Sequence, residues 1–189
     1  VRRALPLAAA AMLAASGCSG GDPGSAPPAS EAAPEPTWSV ACEPGTTPVE
    51  PLGELSLPCL GDGTATEVGL RPDRPLVLVL WASWCGPCVE EAPEIEAFYQ
   101  DHGDRIDVLG VDTADTVDRG RWFAEDFDLS YPSVFDADER VRTALGVPAL
   151  PGVAFVAPDG RVAELVTEPG VTAQGLTETA SKAFGMELP

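Results

Sequence analysis

Leu76, Val77, Leu78, Val79, Leu80, Trp81 and Ala82 form a continuous apolar run between Pro75 and a turn at residues 83–88. The run is short and rich in Val, which predicts a strand buried on both faces, as in a parallel sheet. From residue 89 to 100 the period changes: Cys88, Ala92, Ile95 and Tyr99 fall on one stripe, which predicts a helix. Residues 106–111 predict a second buried strand, and the strand–helix–strand unit is expected to cross over right-handedly. Residues 116–127 then read as a helix carrying Val117, Phe123 and Phe127, and residues 131–135 as a short extended piece. Residues 139–145 form a short helix ended by Gly146. Residues 152–157 and 162–166 read as two strands joined by the turn Pro158-Asp159-Gly160. Residues 171–184 close the chain as a helix, with Gly175 its weak point. The order is that of an α/β fold with an antiparallel strand pair near its end.

The chain has 189 residues, room for one domain with additions. Its beginning follows another logic. Arg2 and Arg3 precede an Ala-rich apolar run over residues 5–15, too short to span a bilayer comfortably. Ala15, Ser16 and Gly17 then precede Cys18, where a signal peptide would be cut. The run from Ala15 to Cys18 resembles a bacterial lipoprotein box, which implies a lipid on Cys18; an ordinary secretory signal with an incidental cysteine is the other reading. Residues 18–37, rich in Gly, Pro, Ser and Ala without apolar periodicity, are expected to be a disordered tether. Residues 38–189 then make the folded domain, held at the outer face of the cell membrane by the lipid. Acidic residues outnumber basic ones by 30 to 11, a balance that argues against nucleic acid as a partner.

Five cysteines leave an odd one in an exported protein. With Cys18 lipidated the remaining four divide into pairs. Cys85 and Cys88 are one by spacing, which leaves Cys42 and Cys59 for each other. In an oxidising compartment such a pair reads as a structural disulfide, stabilising by roughly 3 kcal/mol in the chain-entropy view. A four-thiolate metal site is the alternative, less suited to the wide spacing of Cys42 and Cys59.

Chemistry concentrates in Trp81-Ala82-Ser83-Trp84-Cys85-Gly86-Pro87-Cys88, which follows a buried strand and opens a helix. At a helix N-terminus the unpaired N–H groups and the positive dipole end favour a thiolate on Cys85. Cys88 lies one turn along and closes the disulfide, and Pro87 is tolerated where its missing N–H would have no partner. The exposed Cys85 thiolate is expected to attack a substrate disulfide and Cys88 to resolve the mixed disulfide.

These residues resemble the thioredoxin superfamily, and the lipoprotein-like context is similar to its TlpA/ResA-like branch. The resemblance implies a thioredoxin-like fold: a central mixed sheet of four to five strands flanked by helices, with a short N-terminal extension around Leu57-Pro58-Cys59-Leu60. It also implies that Gly146-Val147-Pro148-Ala149-Leu150-Pro151 ends in a cis-proline facing the dithiol. Pro151 is then the cis residue, with Pro148 a competing candidate, and Leu150 offers backbone groups to an extended substrate. Trp84, Gly86 and Pro87 complete the substrate contacts, with Trp84 shielding the dithiol and Trp81 packing below it. Gly152 stands where Thr is common in the family. Glu91 matches a glutamate of this branch three residues after the second cysteine, and helical geometry independently sets it beside Cys88. A partly desolvated carboxyl there would have a raised pKa and exchange a proton with Cys88. Glu90, Glu94 and Glu96 are expected to be solvated and inert, His102 to lie on the surface, and Asp112, Asp115 and Asp118 to form a solvated loop.

The resulting expectation is an extracytoplasmic thiol–disulfide oxidoreductase that reduces protein disulfides. Its partners are a disulfide-bearing protein substrate and a membrane electron donor, and apocytochrome c maturation is the destination that the resemblance suggests. A disulfide-forming oxidase and a non-enzymatic thiol-based copper or haem-pathway carrier are the competing readings. The reading calls for no cofactor and no metal.

Overall fold

The computed structural model describes residues 34–71 and 74–189; the expected signal segment, Cys18 and the tether as far as residue 33 lie outside the described residues. The first elements are very short: β1 (Thr47–Pro48), β2 (Ser56–Pro58), β3 (Ala65–Glu67) and β4 (Gly69–Leu70). β1 pairs antiparallel with β4, and β2 with β3. Ladders of this length do not hold by themselves. Val49, Leu57, Val68 and Leu70 anchor them by burying their side chains in the core. Cys59, just after β2, bridges backbone-to-backbone with Val134, and its sulfur is bonded to Cys42.

The central sheet follows, beginning with β5 (Leu76–Trp81), α1 (Gly86–His102), β6 (Asp107–Thr113), α2 (Val117–Asp126) and β7 (Ser133–Asp136). It is completed by α3 (Arg140–Leu145), β8 (Gly152–Val156), β9 (Val162–Val166) and α4 (Ala173–Phe184). Strand order is β7-β6-β5-β8-β9, parallel from β5 through β7 and antiparallel at β8 and β9. This is the mixed sheet that the resemblance implies, with five strands.

All six residues of β5 are buried because both of its faces are covered. Val77, Val79 and Trp81 join Ile95 and Phe98 of α1, Phe123 of α2 and Leu176 of α4. Leu76, Leu78 and Leu80 point the other way, into a second cluster with Val141 of α3 and the apolar residues of β1–β4. The alternation follows from the two-residue period of a strand. On the first face Trp81 stacks on Phe123 with ring centres 4.7 Å apart. Gly110 of β6 makes room for it: a Cβ there would stand 2.7 Å from Trp81 Nε1 and 2.2 Å from Ser133 Oγ.

Several expectations change. α1 starts at Gly86 rather than residue 89, because Cys85 caps it, and its buried stripe runs on through Phe98 to His102. His102 is buried, not on the surface. Its Nε2 lies 2.9 Å from Thr177 Oγ1, and since that hydroxyl donates to Ala173 O, the imidazole is the donor. Glu94 and Glu96 are not inert. Glu94 accepts the Ala173 N–H at the start of α4, and Glu96 accepts the Ser130 N–H and hydroxyl. β6 extends two residues beyond residue 111, so Asp112 lies in a strand, fully buried, instead of in a solvated loop. Residue 37, expected to end the tether, is already docked: Thr37 donates from its N–H and its hydroxyl to Glu125. The compact unit accordingly begins at Glu35.

Gly110→Ala should cost about 1–3 kcal/mol, the usual penalty for forcing atoms into a filled core. Gly86→Ala meets nothing within 4 Å and should change stability by less than about 0.5 kcal/mol. Urea unfolding followed by Trp fluorescence compares the two; equal midpoints would show that the packing of Trp81 and Ser133 against residue 110 does not require glycine.

Candidate active site

The end of β5 delivers the chain to the edge of the sheet, and α1 opens there. Cys85 is its N-cap, with extended backbone angles (φ −85°, ψ 107°), and its sulfur accepts the Cys88 N–H at 3.2 Å. The Cys88 N–H in the first helical turn therefore points at this sulfur, where it and the positive end of the helix stabilise negative charge. Pro87 occupies the first turn, where no N–H is needed. Cys85 and Cys88 are joined as a disulfide with Cα atoms 5.2 Å apart.

Cys85 is only 4 % exposed, against the expectation of an open thiol, while Trp84 beside it is 57 % exposed. Cys85 lines a groove of ≈ 370 Å³ together with Trp84, Pro87, Ala114, Pro148 and Leu150. Trp84 forms a wall of this groove, its indole N–H donating to Ala114 O at 2.9 Å. Trp81 packs in the core below. The peptide bond before Pro151 is cis, and the one before Pro148 is not. Register explains why this loop meets the dithiol. β8 runs antiparallel to β5 with Gly152 opposite Leu80, so Pro151 arrives beside the last residue of β5.

Behind the disulfide, Cys88 and Glu91 line one small cavity of ≈ 10 Å³, with Val79, Trp81, Phe123 and Pro151 among its walls. Glu91 is 4 % exposed. Burial pushes its carboxyl above the ordinary range, and the nearby charge of Glu90 adds to this. Hydrogen bonds from the Gly170 N–H (2.5 Å) and the Val171 N–H (3.4 Å) oppose the shift without cancelling it.

Two further groups support the site that the sequence reading did not single out in this role. Arg142 of α3 donates from Nη1 to Val147 O and Pro148 O, both at 3.1 Å, and pairs with Glu139. It ties down the loop that ends at Pro151. Its signal in the sequence is a basic residue in the last turn of a helix ended by Gly146. Asp115 accepts the Ser83 N–H at 2.7 Å and so holds the segment leading into Cys85. Nothing local distinguishes Asp115 from a solvated acid. Among the described residues, no three His, Cys, Asp or Glu side chains are grouped to hold a metal ion. Cys42 and Cys59 form their own disulfide, with Cα atoms 5.8 Å apart.

A five-stranded mixed sheet with a Cys-Gly-Pro-Cys pair capping the helix after its central strand defines a protein of thioredoxin-like fold. Comparison with known proteins agrees. A family model described as Redoxin matches residues 29–182, and the chain belongs to that family. It lies on the TlpA/ResA-like branch of the thioredoxin superfamily. The chain is 33 % identical over 97 residues to thiol-disulfide oxidoreductase ResA of Geobacillus thermodenitrificans, covering 50 % of this chain and 55 % of that protein. It thus spans about half the length of the ResA relatives that it matches. Thiol:disulfide interchange protein HelX of Rhodobacter capsulatus is 27 % identical over 135 residues, 71 % of each chain. Among solved structures, MTB DsbF in its mixed oxidised and reduced forms superimposes with TM-score 0.64 at 28 % identity, covering 73 % of this chain and 99 % of that one.

Glu91→Ala leaves the Gly170 and Val171 N–H groups without their carboxyl partner and should cost about 1–3 kcal/mol, whereas Glu91→Gln keeps an acceptor and should cost less. The folded-state pKa of Glu91 lies above its unfolded value of 4.5. The folded protein therefore holds this proton more tightly, and its stability falls as pH rises from 4.5 through the raised value. Wild type should lose stability relative to Glu91→Gln across that window; parallel denaturation curves at every pH would show a solvated carboxyl.

Proposed function

We propose that this protein is a thiol–disulfide oxidoreductase that reduces disulfides in protein substrates through Cys85 and Cys88. The observation that carries the reading is Cys85 at the N-terminus of α1, its sulfur accepting the Cys88 N–H, in a groove that Leu150 also lines. That setting favours the thiolate and presents it to an extended chain. Trp84, Gly86 and Pro87 meet the substrate on one side, and Leu150 and Pro151 on the other, with Leu150 pairing to the substrate backbone. The names of its ResA and HelX relatives, a thiol-disulfide oxidoreductase and a thiol:disulfide interchange protein, support the same chemistry.

In the reduced enzyme the Cys85 thiolate attacks one sulfur of the substrate disulfide. A Cys85–substrate disulfide forms, and the other substrate sulfur leaves as a thiolate and takes up a proton. Cys88 then gives its proton to Glu91 and attacks the Cys85 sulfur. The enzyme disulfide closes and the second substrate sulfur leaves. Two electrons pass from the dithiol to the substrate. The intervening Gly86-Pro87, without a histidine, fits the reducing direction, and the cycle is completed by a membrane-bound thiol donor. We place the protein outside the cytoplasm, anchored through a lipid on Cys18, with Cys42–Cys59 a structural disulfide suited to that compartment. Assembly of c-type cytochromes, whose apoprotein thiols must be kept reduced, is the process in which we place it. Among the described residues no helix is long and apolar enough to cross a membrane.

Cys85→Ser should abolish reduction of insulin disulfides, while Cys88→Ser should accumulate mixed disulfides with substrate, seen by non-reducing electrophoresis. Full activity in Cys85→Ser would sink the mechanism. Glu91→Gln removes a negative charge beside Cys88 and should lower the apparent pKa values of the coupled dithiol. Glu90→Gln, one step around the helix, should move them little. Alkylation rate against pH reads both variants, and identical curves for wild type and the two variants would remove Glu91 from the mechanism.

A further inference from the structure

Asp112 lies fully buried in β6, and neither of its carboxyl oxygens receives a hydrogen bond from any described donor. Its surroundings are nearly all apolar or backbone. Trp81 is opposite it on β5 and Phe135 on β7. Gly120 of α2 is packed so closely that a Cβ there would stand 2.0 Å from Asp112 Oδ2, with Leu60 just beyond. The charged group that faces Asp112 is the carboxylate of Asp115. Other charges on the neighbouring elements are engaged elsewhere. Arg121 of α2 donates to the carbonyls of Leu60 and Gly61. On β7, Asp136 accepts the Val141 N–H and pairs with Arg140. On α2, Asp118 and Arg119 are exposed.

Two carboxylates brought together in such a place repel, and neither can donate to the other. One proton resolves this. On Asp112 it gives the buried group a neutral form and a hydrogen bond to donate to Asp115. Burial, with the charge of Asp115 added, raises the Asp112 carboxyl to about 8. The oxygens of Asp115 are already in use: Oδ1 accepts the Thr116 N–H and Oδ2 the Ser83 N–H, each at 2.7 Å. Ser83 stands two residues before Cys85, and Trp84 between them is held by Ala114 on the same β6–α2 loop. A relay thus runs from the core to the loop that sets the position of Cys85.

We propose that Asp112 is a positioning residue for the dithiol: its proton, shared with Asp115, keeps Asp115 on the Ser83 N–H and so fixes the loop entering Cys85. When Asp112 ionises, the two carboxylates push apart, Asp115 lets go of Ser83, and the loop with Trp84 loosens. Reactivity of Cys85 then falls on the alkaline side, although its thiolate fraction still rises there. The inference rests on Cys85 being the attacking thiol, and its test is independent of turnover.

In the oxidised protein neither Cys85 nor Cys88 has a thiol to titrate, so NMR of the Ser83 amide from pH 5.5 to 9.5 follows the relay free of cysteine ionisation. The Ser83 amide should titrate with an apparent pKa near that of Asp112, about 8. Asp112→Asn, which still donates to Asp115 but does not ionise, should give a flat curve with the amide still protected from exchange. Glu91→Gln should leave the titration in place. A flat wild-type curve overturns the proposal even if Asp112→Asn fails to fold, and so does an Asp112→Asn curve that titrates like wild type. In the reduced protein, Asp112→Asn should abolish the alkaline fall in iodoacetamide reaction at Cys85. An inactive site in insulin reduction with the Ser83 titration intact would fail the proposed function and leave the relay standing.

Discussion

A strand whose side chains are apolar on both faces is stable only where both faces are covered, and β5 lies at the middle of the sheet for that reason. The position of everything chemical follows from it. A parallel sheet ends its strands along one edge, and α1 opens there with Cys85 as its cap. The β6–α2 loop rises at the same edge and supplies Ala114 and Asp115. Because β8 runs the opposite way, its beginning rather than its end lies there, which brings Leu150 and Pro151 to the same place. Three segments distant in sequence therefore meet over one disulfide.

The face of the sheet behind that disulfide is unusual in its polar content. Glu91 sits among Trp81, Phe123 and their apolar neighbours, Asp112 between Trp81 and Phe135, and both hold their protons more firmly than carboxyls in water do. A reduced dithiol differs from its disulfide by two protons as well as two electrons. Apolar walls strengthen every electrostatic effect on those protons. Glu91 lies next to Cys88, whereas Asp112 reaches the other cysteine only through the backbone of its approach loop. The two acids therefore bear on the two halves of the pair by different routes.

Much of this is legible along the chain. The buried run of β5, the cysteine pair after it and the helix period give the crossover unit, and Glu91 follows from its spacing. The turn at Pro158-Asp159-Gly160 announces the β8–β9 hairpin. What escapes is burial imposed from far away. His102 stands in a polar stretch, and only Thr177, 75 residues on, brings it inside. Glu94 and Glu96 look like any acidic helix surface until α4 and the turn at Ser130 arrive with unpaired N–H groups. Asp112 sits where an apolar strand gives way to polar residues, and α2 covers it only because Gly120 lets the helix come close. The strands β1–β4 are two or three residues long, below the length at which alternation can be seen.

Glu91, Glu94, Glu96, Asp115 and Asp136 each take a backbone N–H donated from another segment. In a chain with 30 acids and 11 bases, side-chain cations are too few to neutralise the carboxylates pairwise. The main chain takes over part of that task, as a counter-ion that neither titrates nor diffuses away. Dissolved ions compete poorly for such short, partly buried bonds. The loops around the dithiol are consequently tied by contacts that brine hardly weakens.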